Sequence, residues 1–256
     1  MVSAKRKYLV ARAMHCYQFP IPETIGCDMS LTLYIHPLAS FCHKVLVGLY
    51  ENETPFEAKI VDFSDAGSAA AHVERWPVGK IPVLHDGETG RVVPETSIII
   101  EYLQERYPGP VRLLPSDPEQ LLEVRLWDRF YDLYVSEPMQ KIVGDRIRPV
   151  GVDDPHGVAE ARAALDTAYA MIEGQLWGKG WATGDDFTMA DCSALPALFF
   201  ASIVHPFRED QHQLAGYLEK LLQRPSVARV IAEARPYFPF FPYRDAMPMR
   251  FLEDAP

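Results

Sequence analysis

The chain has 256 residues, enough for one large domain or two of ordinary size. Hydrophobic residues make up 48% and charged residues 23%, a globular composition rather than a disordered one. A formal net charge of −10 argues against a general nucleic-acid binder, which needs a concentrated basic face. The four cysteines (Cys16, Cys27, Cys42 and Cys192) form no Cys-x-x-Cys pair and match no paired histidine spacing, so no metal site is expected. Their sparseness suits a reducing, cytoplasmic setting. No run of about 18 apolar residues occurs, so no membrane span is expected.

Residues 1–29 differ from the rest. Lys5-Arg6-Lys7 resembles a signal n-region, but Arg12 breaks a short apolar stretch. The lack of acids before Glu23 admits a weak transit-peptide reading. Met29-Ser30-Leu31 running straight into a strand makes Met29 a natural start, and a loosely ordered extension with no catalytic role is expected. Leu31–His36 alternates as a strand, Pro37–Cys42 reads as a turn and His43–Glu53 as a helix. Phe56–Phe63 is a second strand and 64–75 a short helix. Ile81–Leu84 and Arg91–Val93 make a hairpin around Asp86-Gly87, and Thr96–Tyr107 is a helix. The order β-α-β-α-β-β-α is that of a thioredoxin-like domain, spanning 30–107. The proline-rich stretch 108–118 reads as a linker.

Residues 119–235 read as an all-helical domain. A long helix from Glu119 to about Arg148 carries Leu122, Leu126, Trp127, Phe130 and Leu133 at core spacing, with a kink expected at Pro138. Further helices cover Val158–Trp177, Met189–Val204 and Leu214–Ala234, the last split at Arg224-Pro225-Ser226. Phe187-Thr188-Met189-Ala190-Asp191-Cys192 matches a helix-capping box with a hydrophobic staple, which assigns Asp191 to structure rather than catalysis. Residues 236–256, rich in proline and aromatics, read as an extended tail on the surface. The fold class is therefore α+β followed by an all-α bundle.

Two segments carry the chemistry. In Trp76–Leu84, Pro82 stands at a strand start, where its missing N–H matters least, and it pushes Ile81 extended. The Ile81 main chain is thereby left to pair with something that is not protein. In Pro94–Leu103, Glu95-Thr96-Ser97 gathers polar side chains and unpaired N–H groups at a helix N-terminus, which favours a carboxylate. Together they suggest a small peptide ligand. Each also has a plain structural reading: most X-Pro bonds are trans, and Glu-Thr-Ser is an ordinary helix cap.

In this order and spacing the two segments resemble the glutathione transferase family, from Leu31 to about Ala234. The resemblance implies a cis Ile81-Pro82 bond facing the cysteinyl unit of glutathione. It also implies that Glu95 meets the α-amino group, Thr96 the γ-glutamyl carboxylate and Lys80 the glycyl carboxylate. The activating residue of Ser- or Cys-type members lies in the first βα turn; a hydroxyl at a helix N-terminus favours the thiolate. Counting back from Val45 lands on Ala39, so Ser40, one place along, is the expected activator. Backbone N–H groups with the helix dipole are the alternative. Cys42 offers a mixed-disulfide route, as in a glutathione-dependent thiol reductase or peroxidase, against a plain reading as a small buried hydrophobe. On the long helix, Tyr131 and Tyr134 fall off the core stripe and are expected to reach the electrophile pocket. The resemblance implies a cytoplasmic detoxifying homodimer that conjugates glutathione to a hydrophobic electrophile. A non-catalytic glutathione-binding member of the fold stays open as an alternative, with Ala39 as its support.

Overall fold

The computed structural model describes residues 30–253; the reading of residues 1–29 lies outside them. Four strands form one sheet in the order β2-β1-β3-β4: β1 Leu31–Ile35, β2 Glu57–Ile60, β3 Val83–Asp86 and β4 Arg91–Pro94. β1 runs parallel to β2 and antiparallel to β3, with Leu33 opposite Ala58 and Leu84. Leu31, Leu33 and Ile35 are buried, as expected of a central strand covered by helices. Those helices are α1 Ser40–Glu51, α2 Ala66–Arg75 and α3 Thr96–Arg106. At the hairpin, Asp86 accepts from the N–H of Glu88 at 2.8 Å and from the Tyr107 hydroxyl at 2.9 Å, which pins the turn to the end of α3.

The second half is helical: α4 Pro118–Phe130, a π-helical segment Tyr131–Ser136, α5 Glu137–Arg146, α6 Pro155–Gln175, α7 Met189–Val204, α8 His212–Leu222 and α9 Pro225–Ala234. Nearly all of α7 is buried, so it forms the axis of this bundle. Its start is the expected capping box: Asp191 accepts from the Thr188 N–H at 2.8 Å and also holds the Ala182 N–H and the Tyr217 hydroxyl. Helix α1 packs against α7, and Arg224 at the head of α9 forks onto Glu51 at 2.7 and 2.6 Å. The sheet half and the helical half therefore meet across α1.

Several boundaries differ from the sequence reading. Helix α1 begins at Ser40 rather than His43, because Ala39 is extended and its carbonyl accepts from Cys42 at 2.8 Å. The long helix widens into a π segment before Pro138, whose absent N–H cannot serve the carbonyl of Tyr134. The tail is not extended over residues 235–251. It coils into 3-10 turns at Arg235–Phe240, Arg244–Ala246 and Met249–Phe251, burying Phe238, Phe241 and Phe251 against Phe199 and Phe200 of α7. Aromatic side chains supply enough apolar area to bury such a segment without regular periodicity.

Candidate active site

The turn before β3 is assembled from its neighbours. Gly79, at φ +71°, donates to the Trp76 carbonyl at 2.8 Å, a backbone setting that suits glycine. His72, buried under the turn, holds the Lys80 carbonyl at 3.0 Å. The Ile81-Pro82 bond is cis. Among the described residues no hydrogen bond takes up the Ile81 N–H or C=O.

At the next helix, Glu95 occupies the N-cap with φ +68° and ψ +120°, and its side chain makes no capping bond. A non-glycine residue there costs on the order of 1–3 kcal/mol and persists where the surroundings, or a function, require it. The carboxylate is thus released from the ordinary capping role that the plain reading of Glu-Thr-Ser gives it. Thr96 is buried beside it, and the first N–H groups of α3 have no acceptor within the helix.

These pieces border one cleft of about 330 Å³, lined by Lys80, Ile81, Pro82, Glu95 and Thr96 from the sheet domain. Phe41 and Trp76 complete that side, and Arg129, Asp132, Leu133, Glu137 and Gln140 form the helical wall. The five residues expected to hold the peptide ligand are therefore brought together. Ser40 is the first residue of α1, and its hydroxyl oxygen accepts from Gln140 Nε2 at 3.4 Å. It sits next to cleft-lining Phe41, with the helix N-terminus behind it.

Two other residues of the first βα turn take structural places. Cys42 is fully buried; burial pushes its thiol up to about 12, and a backbone hydrogen bond from His36 offsets this only in part. Held so, it is a small core hydrophobe and not a thiolate. His43 is buried too. Its Nε2 donates to the Pro37 carbonyl at 2.7 Å, and burial lowers its pKa to about 4, so the ring is neutral.

The helical wall departs from the sequence reading. Tyr131 is fully buried under α7, and burial, then Asp191, pushes its hydroxyl well above the usual range. Tyr134 is exposed, meets Phe130 at a tilt with ring centroids 5.0 Å apart and does not line the cleft. Asp132 and Leu133 line it instead. The π segment puts more than four residues into a turn, which rotates the following side chains away from the faces that 3.6 periodicity assigns. Sequence reasoning missed Phe41, Trp76, Arg129, Asp132, Glu137 and Gln140; the one available signal was that four of these six are polar residues on a helix already placed beside the ligand. Among the described residues no group of three or more His, Cys, Asp or Glu is placed to hold a metal ion.

Two family models match the chain: the glutathione S-transferase N-terminal domain over residues 33–111 and its C-terminal domain over 155–232. The chain belongs to the glutathione S-transferase family. A glutathione S-transferase of Pseudomonas putida is 28% identical over 217 residues, covering 82% of this chain and 96% of that protein. The glutathione S-transferase-like protein LUC7 of Fusarium is 31% identical over 127 residues, half of this transferase; the match spans 57% of LUC7. Among solved structures, a glutathione S-transferase of Methylobacterium radiotolerans in complex with glutathione sulfonate superposes with a TM-score of 0.67 at 26% identity, covering 78% of this chain and 93% of that one.

Proposed function

We propose that this transferase conjugates reduced glutathione to an electrophilic small molecule in the cleft between its two halves. The observation that carries the reading is the convergence on one cleft of the open Ile81 main chain and the left-handed Glu95 with buried Thr96; Ser40, buried beside cleft-lining Phe41 at a helix N-terminus, is the neighbouring hydroxyl. Ile81 pairs with the cysteinyl unit, Glu95 takes the α-amino group, Thr96 the γ-glutamyl carboxylate and Lys80 the glycyl carboxylate. The thiol loses its proton to water. The Ser40 hydroxyl and the free N–H groups of α1 then stabilise the thiolate. The sulfur lone pair forms a C–S bond to the electrophilic carbon, and the displaced electron pair leaves with the departing group or moves onto the activating group, which takes up a proton. Holding both reactants in one cleft supplies much of the acceleration.

The electrophile faces the helical wall, where Leu133 and Gln140 line the cleft. Titrating the thiol of bound glutathione by ultraviolet absorbance tests the activator. In Ser40→Ala the pKa is expected to rise by roughly one to two units, the worth of one hydrogen bond to a charge. An unchanged value removes Ser40 from the mechanism. The buried Cys42 disfavours a thiol-reductase reading.

The protein acts as a homodimer. The outward face of α3 and α4 exposes Ile98, Leu122 and Leu126 around an Arg125–Glu101 ion pair at 2.8 Å, an apolar patch with a polar centre. A cytoplasmic, detoxifying role fits this chemistry, which depends on abundant reduced glutathione. No helix among the described residues is long and apolar enough to cross a membrane.

A further inference from the structure

Lys44 lies one helical turn beyond Ser40, on the same face of α1, and is fully buried. Its ammonium meets three acceptors: Asp128 Oδ1 at 2.7 Å, Asp132 Oδ2 at 2.8 Å and Ser97 Oγ at 2.9 Å. Three donors and three acceptors leave the group saturated. Ser97 donates in turn to Asp128 Oδ2 at 2.6 Å, and Ser193 of α7 donates to the other oxygen of the same carboxylate.

The acceptors come from elements that border the cleft. Ser97 follows Thr96 at the head of α3; Asp132 is itself in the cleft wall; Asp128 anchors α4 one turn before it. The network therefore joins the helix that carries Ser40 to the ligand-holding terminus of α3 and to the electrophile wall. Stability does not explain it, because well-packed apolar side chains of similar volume generally serve a core as well as a buried ion pair does. Fixed geometry does explain it.

We propose that Lys44 is a positioning residue for conjugation: its ammonium sets the separation of Ser40, Thr96 and Asp132, and so the grip on glutathione and the fit of its thiol against Ser40. The proposal rests on the transferase reading above. Small displacements of reacting groups cost large factors in rate, about a hundredfold for roughly 1 Å.

The test compares the full chain with Lys44→Met and with the milder Ser97→Ala. Three quantities are read: KM for glutathione and kcat with a chromogenic aryl halide, the thiol pKa of bound glutathione, and Tm. Lys44→Met is expected to raise KM for glutathione about tenfold and lift the bound thiol's pKa, and Ser97→Ala to do so about threefold with Tm lowered by only a few degrees. A folded Lys44→Met with a lowered Tm but parental KM and thiol pKa makes the lysine a strut and overturns the proposal. Should Lys44→Met not fold, Ser97→Ala decides, and parental KM and thiol pKa there overturn it equally. A parent protein that leaves the glutathione thiol at its solution pKa overturns the transferase reading first, before any variant is made, and the proposal with it.

Discussion

Gln140 Nε2 lies 3.4 Å from Ser40 Oγ, so the helical wall of the cleft touches the hydroxyl proposed as the activator. A donor on one side of that oxygen leaves the Ser40 proton free for the sulfur of that proposal. The contact is long for an N–H···O bond, which suits a side chain that moves in as the site fills.

Gln140→Leu keeps the size of the side chain and removes the donor. Because Gln140 is exposed, Tm should stay within about a degree. Conjugation kcat/KM should fall about three- to tenfold, the worth of one ordinary hydrogen bond. Steady-state kinetics and a thermal melt on the same sample check both.

Glu95 carries a backbone cost and, in the proposed function, a ligand role, and two variants separate them. Glu95→Gly relieves the left-handed backbone and should raise Tm by a few degrees, since about 1 kcal/mol moves a chain of this size by about 2–4 °C. It should also raise KM for glutathione about tenfold, through loss of the carboxylate. Glu95→Gln should raise KM without the gain in Tm. Glutathione titration by calorimetry beside differential scanning measures the pair.

The buried His43 makes stability depend on pH. Its pKa falls from an ordinary 6.5 to about 4 on folding, through burial. Below 6.5 the unfolded chain binds a proton that the folded chain refuses, so stability is complete above that value and is lost as the pH drops towards 4. The loss is on the order of 3 kcal/mol. His43→Gln keeps a donor for the Pro37 carbonyl and does not titrate, so urea midpoints measured between neutral pH and 4 should fall less steeply in the variant than in the parent.

Leu126→Glu places a charge in the apolar face of α3 and α4 beside Glu101 and its partner Arg125. Sedimentation velocity should show the dimer shifting to monomer, with the far-ultraviolet spectrum of the parent retained. A monomeric parent would remove the homodimer from the proposed function.

The sheet half was largely legible because its signals are local. Alternation gives β1, Asp86-Gly87 gives the hairpin, and Pro82 with Glu95-Thr96-Ser97, taken together in their order and spacing, marks the cleft. The helical wall was not. Strict periodicity put Leu122 and Leu126 in the core and sent Tyr131 to the cleft, whereas the structure exposes the two leucines and buries the tyrosine. An amphipathic stripe shows which face is apolar without saying whether the same chain covers it, and a π segment resets the count partway along. The tail was misread for a related reason: prolines erase periodicity, and burial of Phe238 and Phe251 depends on a groove beside Phe199 that no local pattern reveals.

That placement of Phe238, Phe241 and Phe251 bears on how the protein is made. The strands and α3 are complete once Arg106 has left the ribosome, but the groove beside α7 stays unfilled until Phe251 emerges. The sheet half can begin to fold during translation, as N-terminal domains generally do. The bundle closes some 145 residues later, a delay of about 7–30 s at ordinary elongation rates of about 5–20 residues per second. For the last 47 or so residues of that interval, about 2–9 s at the same rates, α7 has emerged and the face that Phe238, Phe241 and Phe251 cover is open to chaperones.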